Sequence, residues 1–161
     1  MNIPDTVTEE PQQDDHDQSE SVYAWEIETF PERGICALSL DECRDLIAKI
    51  WKETLNLAAD IPPVADGRGS LCARVYNDII HLPRWSRNRL IVIHEVAHCV
   101  TSMINHERSV AHDGLYMQVY LTMLALEGDH KYDWLLKSAK KYGLKVSRAD
   151  FHKRIKKFQN S

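Results

Sequence analysis

The chain has no C-x-x-C pair, no lysine or arginine in its first 30 residues, and no long apolar run. Each absence removes a class. A helix that spans a bilayer needs roughly 18–20 consecutive apolar residues, so no membrane partner is expected. The four cysteines, Cys36, Cys43, Cys72 and Cys99, are too scattered to write a zinc ribbon or a dense disulfide scaffold. Reduced thiols, and with them a cytoplasmic location, are the expectation. An acidic front end without an apolar core does not read as a secretory signal.

What charge there is lies unevenly. Residues 1–30 hold nine acids, whereas residues 129–161 hold ten lysines and arginines against three aspartates. Residues 1–21 carry Pro, Gln, Asp, Glu and Ser with almost nothing to bury, and are expected to be a disordered acidic tail. Residues 22–161 are long enough for one domain with a real core, ending in a basic helical region. That region is expected to be a solvated face, with weak nucleic-acid contact as the partner it would allow.

The centre of the chain is Ile91-Val92-Ile93-His94-Glu95-Val96-Ala97-His98-Cys99-Val100. Histidines four apart share one face of a helix. Two imidazoles so placed can hold one Zn²⁺ at about 2.0–2.1 Å each, with Glu95 beside the open coordination position. There the carboxylate can take a proton from water whose pKa the metal lowers to about 7. Three polar side chains inside an otherwise apolar helix are expensive unless something satisfies them. A metal would. Cys99 is one residue along the helix from His98, faces elsewhere, and is expected in the core.

The flanking elements follow from local patterns. Residues 22–30 read as a short strand. Ser39 and Glu42 form a capping box for a helix to about Leu57, with Leu46, Ile47, Ile50, Trp51, Thr54 and Leu55 inward. Residues 61–70 are a turn-rich loop whose glycines can take positive φ. Leu71–Tyr76 and Asp78–Leu82 read as strands joined by a tight turn near Asn77-Asp78. Ser86 is expected to cap the motif helix over 86–103, and Ile104–Ala111 to form a polar loop. A further helix starts near His112-Asp113 and ends at Gly128, another covers Tyr132–Tyr142 up to Gly143, and Ser147 is expected to cap a basic helix over 148–158. The fold class is α+β: a small antiparallel sheet packed against the HExxH helix and further helices.

A catalytic zinc needs a third protein ligand. The longer pattern H-E-x-x-H-x-x-G-x-x-H fails, because Thr101 and Ile104 stand where Gly and His are required. His112 is the better candidate: it opens a helix after a loop long enough to reverse the chain, and Asp113 could orient a ligand. Glu127, before Gly128, and mid-loop His106 are the rivals. His81 reads as structural or cleft-lining; His16, His130 and His152 have no argued role. Tyr116 and Tyr76 are candidate donors to an oxyanion, and Asp78–Leu82 is a candidate edge strand for substrate backbone.

Four runs carry a resemblance: Ala65-Asp-Gly-Arg-Gly-Ser70, Asp78-Ile-Ile-His-Leu-Pro-Arg-Trp85, His94-Glu-Val-Ala-His98 and His112-Asp-Gly-Leu-Tyr116. Over roughly residues 60–127 the chain resembles a family of small metallohydrolases of actinobacteria and their phages, a family known by motif. More distantly it is similar to SprT-like metallopeptidases. The resemblance implies a zincin-like fold with His94, His98 and His112 on zinc and Glu95 as base. The expectation is a zinc-dependent hydrolase, a metallopeptidase acting on a protein or peptide. The alternative is a binding or regulatory module that keeps zinc without turnover, associated with nucleic acid through its basic end.

Overall fold

A computed structural model describes residues 17–105, 111–128 and 130–159. Most of the predicted tail, His16, and the loop residues 106–110 with His106 lie outside the described residues. The described residues form an α+β fold, with six helices and a small three-stranded sheet among them. Among the described residues no helix is long and apolar enough to cross a membrane.

The first element departs from expectation. Ser19–Thr29 is a helix, α1, where a strand over 22–30 and a tail through residue 21 were predicted. Val22, Trp25 and Glu26 are its inward positions, spaced by three and four. A charged residue on the buried stripe hides the helical period, and Val, Tyr and Trp suggest a strand by propensity. Trp25 anchors the helix: it is fully buried, its indole Nε1 donates to Ser138 Oγ at 3.0 Å, and Phe30 and Tyr120 meet it edge-on.

Helix α2, Leu40–Lys49, starts from the predicted capping box: the Glu42 amide donates to Ser39 Oγ and the Ser39 amide donates to the Glu42 carboxylate. The helix continues into a wider turn over Ile50–Thr54. Ile47, Ile50, Trp51 and Leu55 are buried from the predicted stripe, while Leu46 and Thr54 are half-buried.

The sheet holds β1 (Val64–Ala65), β2 (Arg74–Tyr76) and β3 (Ile79–His81) in the order β1-β3-β2. Asn77 and Asp78 both have positive φ, 49° and 58°, giving the tight turn that matches strand twist. The sheet is mixed rather than antiparallel, because β1 runs parallel to β3 with Val64 opposite Ile80. The candidate edge strand is therefore the central one, and β2 is an edge. Two-residue β1 follows Pro62-Pro63 and has too little pattern to be seen in sequence.

The motif helix, α3, spans Arg89–Ile104 and is capped by Asn88, whose side chain accepts from the Ile91 amide. Ser86, the predicted cap, instead lies in a 3₁₀ turn with its hydroxyl on the Pro83 carbonyl. Helix α4, Gly114–Glu127, is capped by Asp113 and buried on nearly every face, packing on both α3 and α5. Gly128 follows it with extended backbone, not the left-handed cap. Helix α5 is Tyr132–Lys141, stopped as expected by Gly143 at φ +72°. Helix α6 is only Phe151–Ile155 with one 3₁₀ turn after it, and Asp150 caps it rather than Ser147. Of the aromatics that interleave with the basic residues, Phe151 is core, Tyr142 donates to Glu28, and Trp134 is half-exposed and stacked on His130.

The burial of α1 sets a stability expectation. Trp25→Ala should cost about 3–5 kcal/mol, read from denaturant unfolding. Leu126→Ala, at a half-exposed site, should stay within about 0.5 kcal/mol.

Candidate metal centre

One turn of α3 brings His94 and His98 to the same face, and the start of α4 brings His112 against them. Their Nε2 atoms lie 3.3 Å (His94–His98), 3.2 Å (His98–His112) and 3.0 Å (His94–His112) apart. A point about 2.0–2.1 Å from all three exists just outside their plane, which is the bond length imidazole nitrogen makes to zinc. His94, His98 and His112 form a group that could hold a metal ion.

The hydrogen bonds on the far side of two rings define which nitrogen is free. His94 Nδ1 is 2.6 Å from Glu26 Oε1, so the ring donates there and in its neutral form Nε2 keeps the lone pair. Ser19 Oγ donates to Asp17 Oδ1 at 2.6 Å and lies 2.8 Å from His112 Nδ1, so that nitrogen carries the proton it offers to serine. At least two lone pairs therefore aim at the same small space. Without a cation between them such lone pairs repel.

Electrostatics follow the same geometry. Burial opposes charge on His94, but the Glu26 carboxylate outweighs it and raises the pKa. Burial and the neighbouring imidazoles hold His98 well below the usual range; burial and His94 bring His112 down to about 4. Glu26 is 1 % exposed, yet its pKa falls to about 2, because His94, Arg33 and Tyr120 together exceed the burial penalty. Glu95 goes the other way: burial lifts it to about 7, with Glu26 adding to the rise and His94 opposing it. Glu95 lines two adjoining cavities of about 370 and 220 Å³ that share Tyr23, Cys72, Ala73 and His94.

His112 sits at φ +60°, a region that costs a non-glycine residue roughly 1–2 kcal/mol. Its carbonyl accepts from Gln18 Nε2 at 3.2 Å, and the same amide brackets Lys145, donating to its carbonyl at 3.0 Å and accepting from its N–H at 2.6 Å. This clamp holds the ring in place.

The sequence candidates divide cleanly. His94, Glu95, His98 and His112 come together. Glu127 does not: it lies at the other end of α4, about 20 Å along the axis, bonded to Lys49, Arg89 and Thr54. Asp113 caps α4 through the Tyr116 amide. His81 does not line the cleft, and its Nε2 is buried without a partner among the described residues. Tyr116 is buried, stacked on His98 at 4.4 Å, with its hydroxyl directed at the His94 carbonyl. Tyr76 is exposed beneath Arg74 and away from the cleft. Cys99 is half-buried rather than core.

No family model, curated protein or solved structure matches this chain.

Sequence reasoning missed Asp17, Gln18, Ser19, Tyr23 and Glu26. The inward spacing of Val22, Trp25 and Glu26 was the available signal, masked by the acidic composition around it.

Two predictions follow from this environment. Glu26→Gln should weaken metal binding about 10–100-fold, the usual effect of losing a ligand's supporting carboxylate, measured by competition with a chromogenic chelator. Burial pushes the thiols of Cys43 and Cys99 up to about 11 and about 12. A thiol reagent at neutral pH should therefore modify exposed Cys36 and Cys72 in the folded chain and spare the other two, as read by mass spectrometry.

Proposed function

We propose that the chain is a zinc-dependent hydrolase of zincin-like architecture, a metallopeptidase acting on a protein or peptide in the cytoplasm. The observation that carries this reading is the triangle of Nε2 atoms, 3.0–3.3 Å on a side, with buried Glu95 beside it in an open cleft. Three histidines that leave a fourth position free are a donor set of catalytic zinc. The four cysteines, all free, agree with a reducing compartment.

Zinc bound by His94, His98 and His112 would supply Lewis acidity toward a carbonyl and lower the pKa of water. The remaining chemistry belongs to the chain. Glu95 accepts the proton of the attacking water and passes it to the leaving amine. A nearby dication favours its ionised form, countering the upward pull of burial. Tyr23, half-exposed at the cleft wall and near both His94 and His112, is the phenol placed to donate to the developing oxyanion. Glu26 and Ser19 keep the rings of His94 and His112 oriented. Ala73, Arg74 and Val75 line the cleft along β2, whose outer edge, unpaired among the described residues, is placed to add an extended backbone.

The reading is tested in two steps. Purified protein should hold one zinc per chain; His112→Ala should lose it and Glu127→Gln should keep it. Glu95→Gln should retain metal and fold while peptide hydrolysis falls by a factor of about a hundred or more. Protein that neither contains nor takes up zinc, or an active Glu95→Gln, overturns the assignment.

A further inference from the structure

A third cavity, of about 560 Å³, lies between α4, α5 and the segment after α5, and the hydrolase reading does not use it. Tyr132, Leu136 and Lys140 line it from one face of α5, at the four-residue spacing that stacks side chains along a helix. Lys145 and Arg148 line it from the following segment, and Gln118 from α4.

The charge that the described residues bring to it is of one sign. Among the described residues no carboxylate lines the cavity, and Lys140 and Arg148 have no ion-pair partner. A concave wall that carries Lys140 and Arg148, with no acid among the described residues, concentrates positive potential and favours an anion. Gln118 adds an independent observation. It is 6 % exposed, and its Oε1 is buried without a hydrogen-bond partner. Such a group is a standing penalty unless a ligand satisfies the amide, which can turn to present either its oxygen or its nitrogen. Tyr132 and Leu136 add an apolar, partly aromatic surface.

The wall is also pre-formed. The Ser147 amide donates to the Gly114 carbonyl at 2.8 Å, and the Gln18 side chain holds both backbone groups of Lys145. A Cβ on Gly114 would lie 3.3 Å from the Ser147 nitrogen, so the segment is seated closely against the start of α4. Pre-formed pockets with an apolar body and a few converging polar groups are the usual form of small-molecule sites.

We propose that this cavity binds a nucleoside phosphate: the phosphate on Lys140 and Arg148, the ring system against Tyr132 and Leu136, and a hydrogen-bonding edge of the base on the Gln118 amide. The site stands whether or not the zinc centre is catalytic.

Calorimetric titration of the full, zinc-loaded chain tests it, with adenosine monophosphate, inorganic phosphate and adenosine as separate probes. Saturable one-to-one binding of the nucleotide is expected, tighter than either half. Lys140→Glu and Arg148→Glu should each weaken it about tenfold or more, as loss of a charge-assisted contact does. Gln118→Met should weaken adenosine and the nucleotide but leave phosphate unchanged. If that buried change impairs folding, the two exposed charge variants still decide the matter. No saturable binding at millimolar nucleotide, or binding that the charge variants leave intact, overturns the proposal. So does a single-stranded oligonucleotide whose binding is lost in Lys153→Glu and Lys157→Glu but kept in Lys140→Glu and Arg148→Glu, since that marks a charged surface instead of a pocket.

Discussion

Imidazole lone pairs aimed at one point make an arrangement that a protein does not adopt by default. Each ring would relax by turning toward water or a donor, and here neither His94 nor His112 can. Glu26 holds His94 from behind at 2.6 Å, and Ser19, itself oriented by Asp17, holds His112 at 2.8 Å. The rest of the architecture can be traced from that constraint. Helix α1 carries Ser19 and Glu26, seven residues apart and so two turns along one face. Its burial through Val22 and Trp25 places both behind the rings. Arg33 then satisfies the other oxygen of Glu26, and Tyr120 donates to the one that faces His94, as a carboxylate 1 % exposed requires.

The second constraint is backbone conformation. His112 reaches the other two rings from a positive φ, and the strain is countered by tertiary contacts. Gln18 reaches both the His112 carbonyl and the backbone of Lys145, tying the start of α4 to the segment after α5. The amino-terminal helix, the histidine cluster and the wall of the basic cavity therefore meet at one amide and its neighbours.

Much of the fold and site could be read from the chain where chemistry repeats at a fixed spacing. The i,i+4 pair His94 and His98 inside an apolar run, the Ser39–Glu42 box, the Asn77-Asp78 turn and the stop at Gly143 are local, and local geometry depends on neighbours in sequence. His112 as the third member followed from its place at a helix start. The helix at 19–29, the parallel pairing of Val64 with Ile80, the caps Asn88 and Asp150, and the ion-paired fate of Glu127 were not legible. Each depends on what lies across space: a two-residue strand exists only because β3 is beside it, and competing cap residues are chosen by how the chain enters the core.

The amino-acid order thus specifies the histidines, their spacing on α3 and the inward stripe of α2, because these are properties of stretches a few residues long. It leaves open the tautomers of His94 and His112, the lifted pKa of Glu95 and the lowered one of Glu26. Those are set by desolvation and by groups the fold brings together, such as Glu26 with His94, 68 residues on, and with Tyr120, 94 residues on. Burial and through-space electrostatics exist only once the chain has folded.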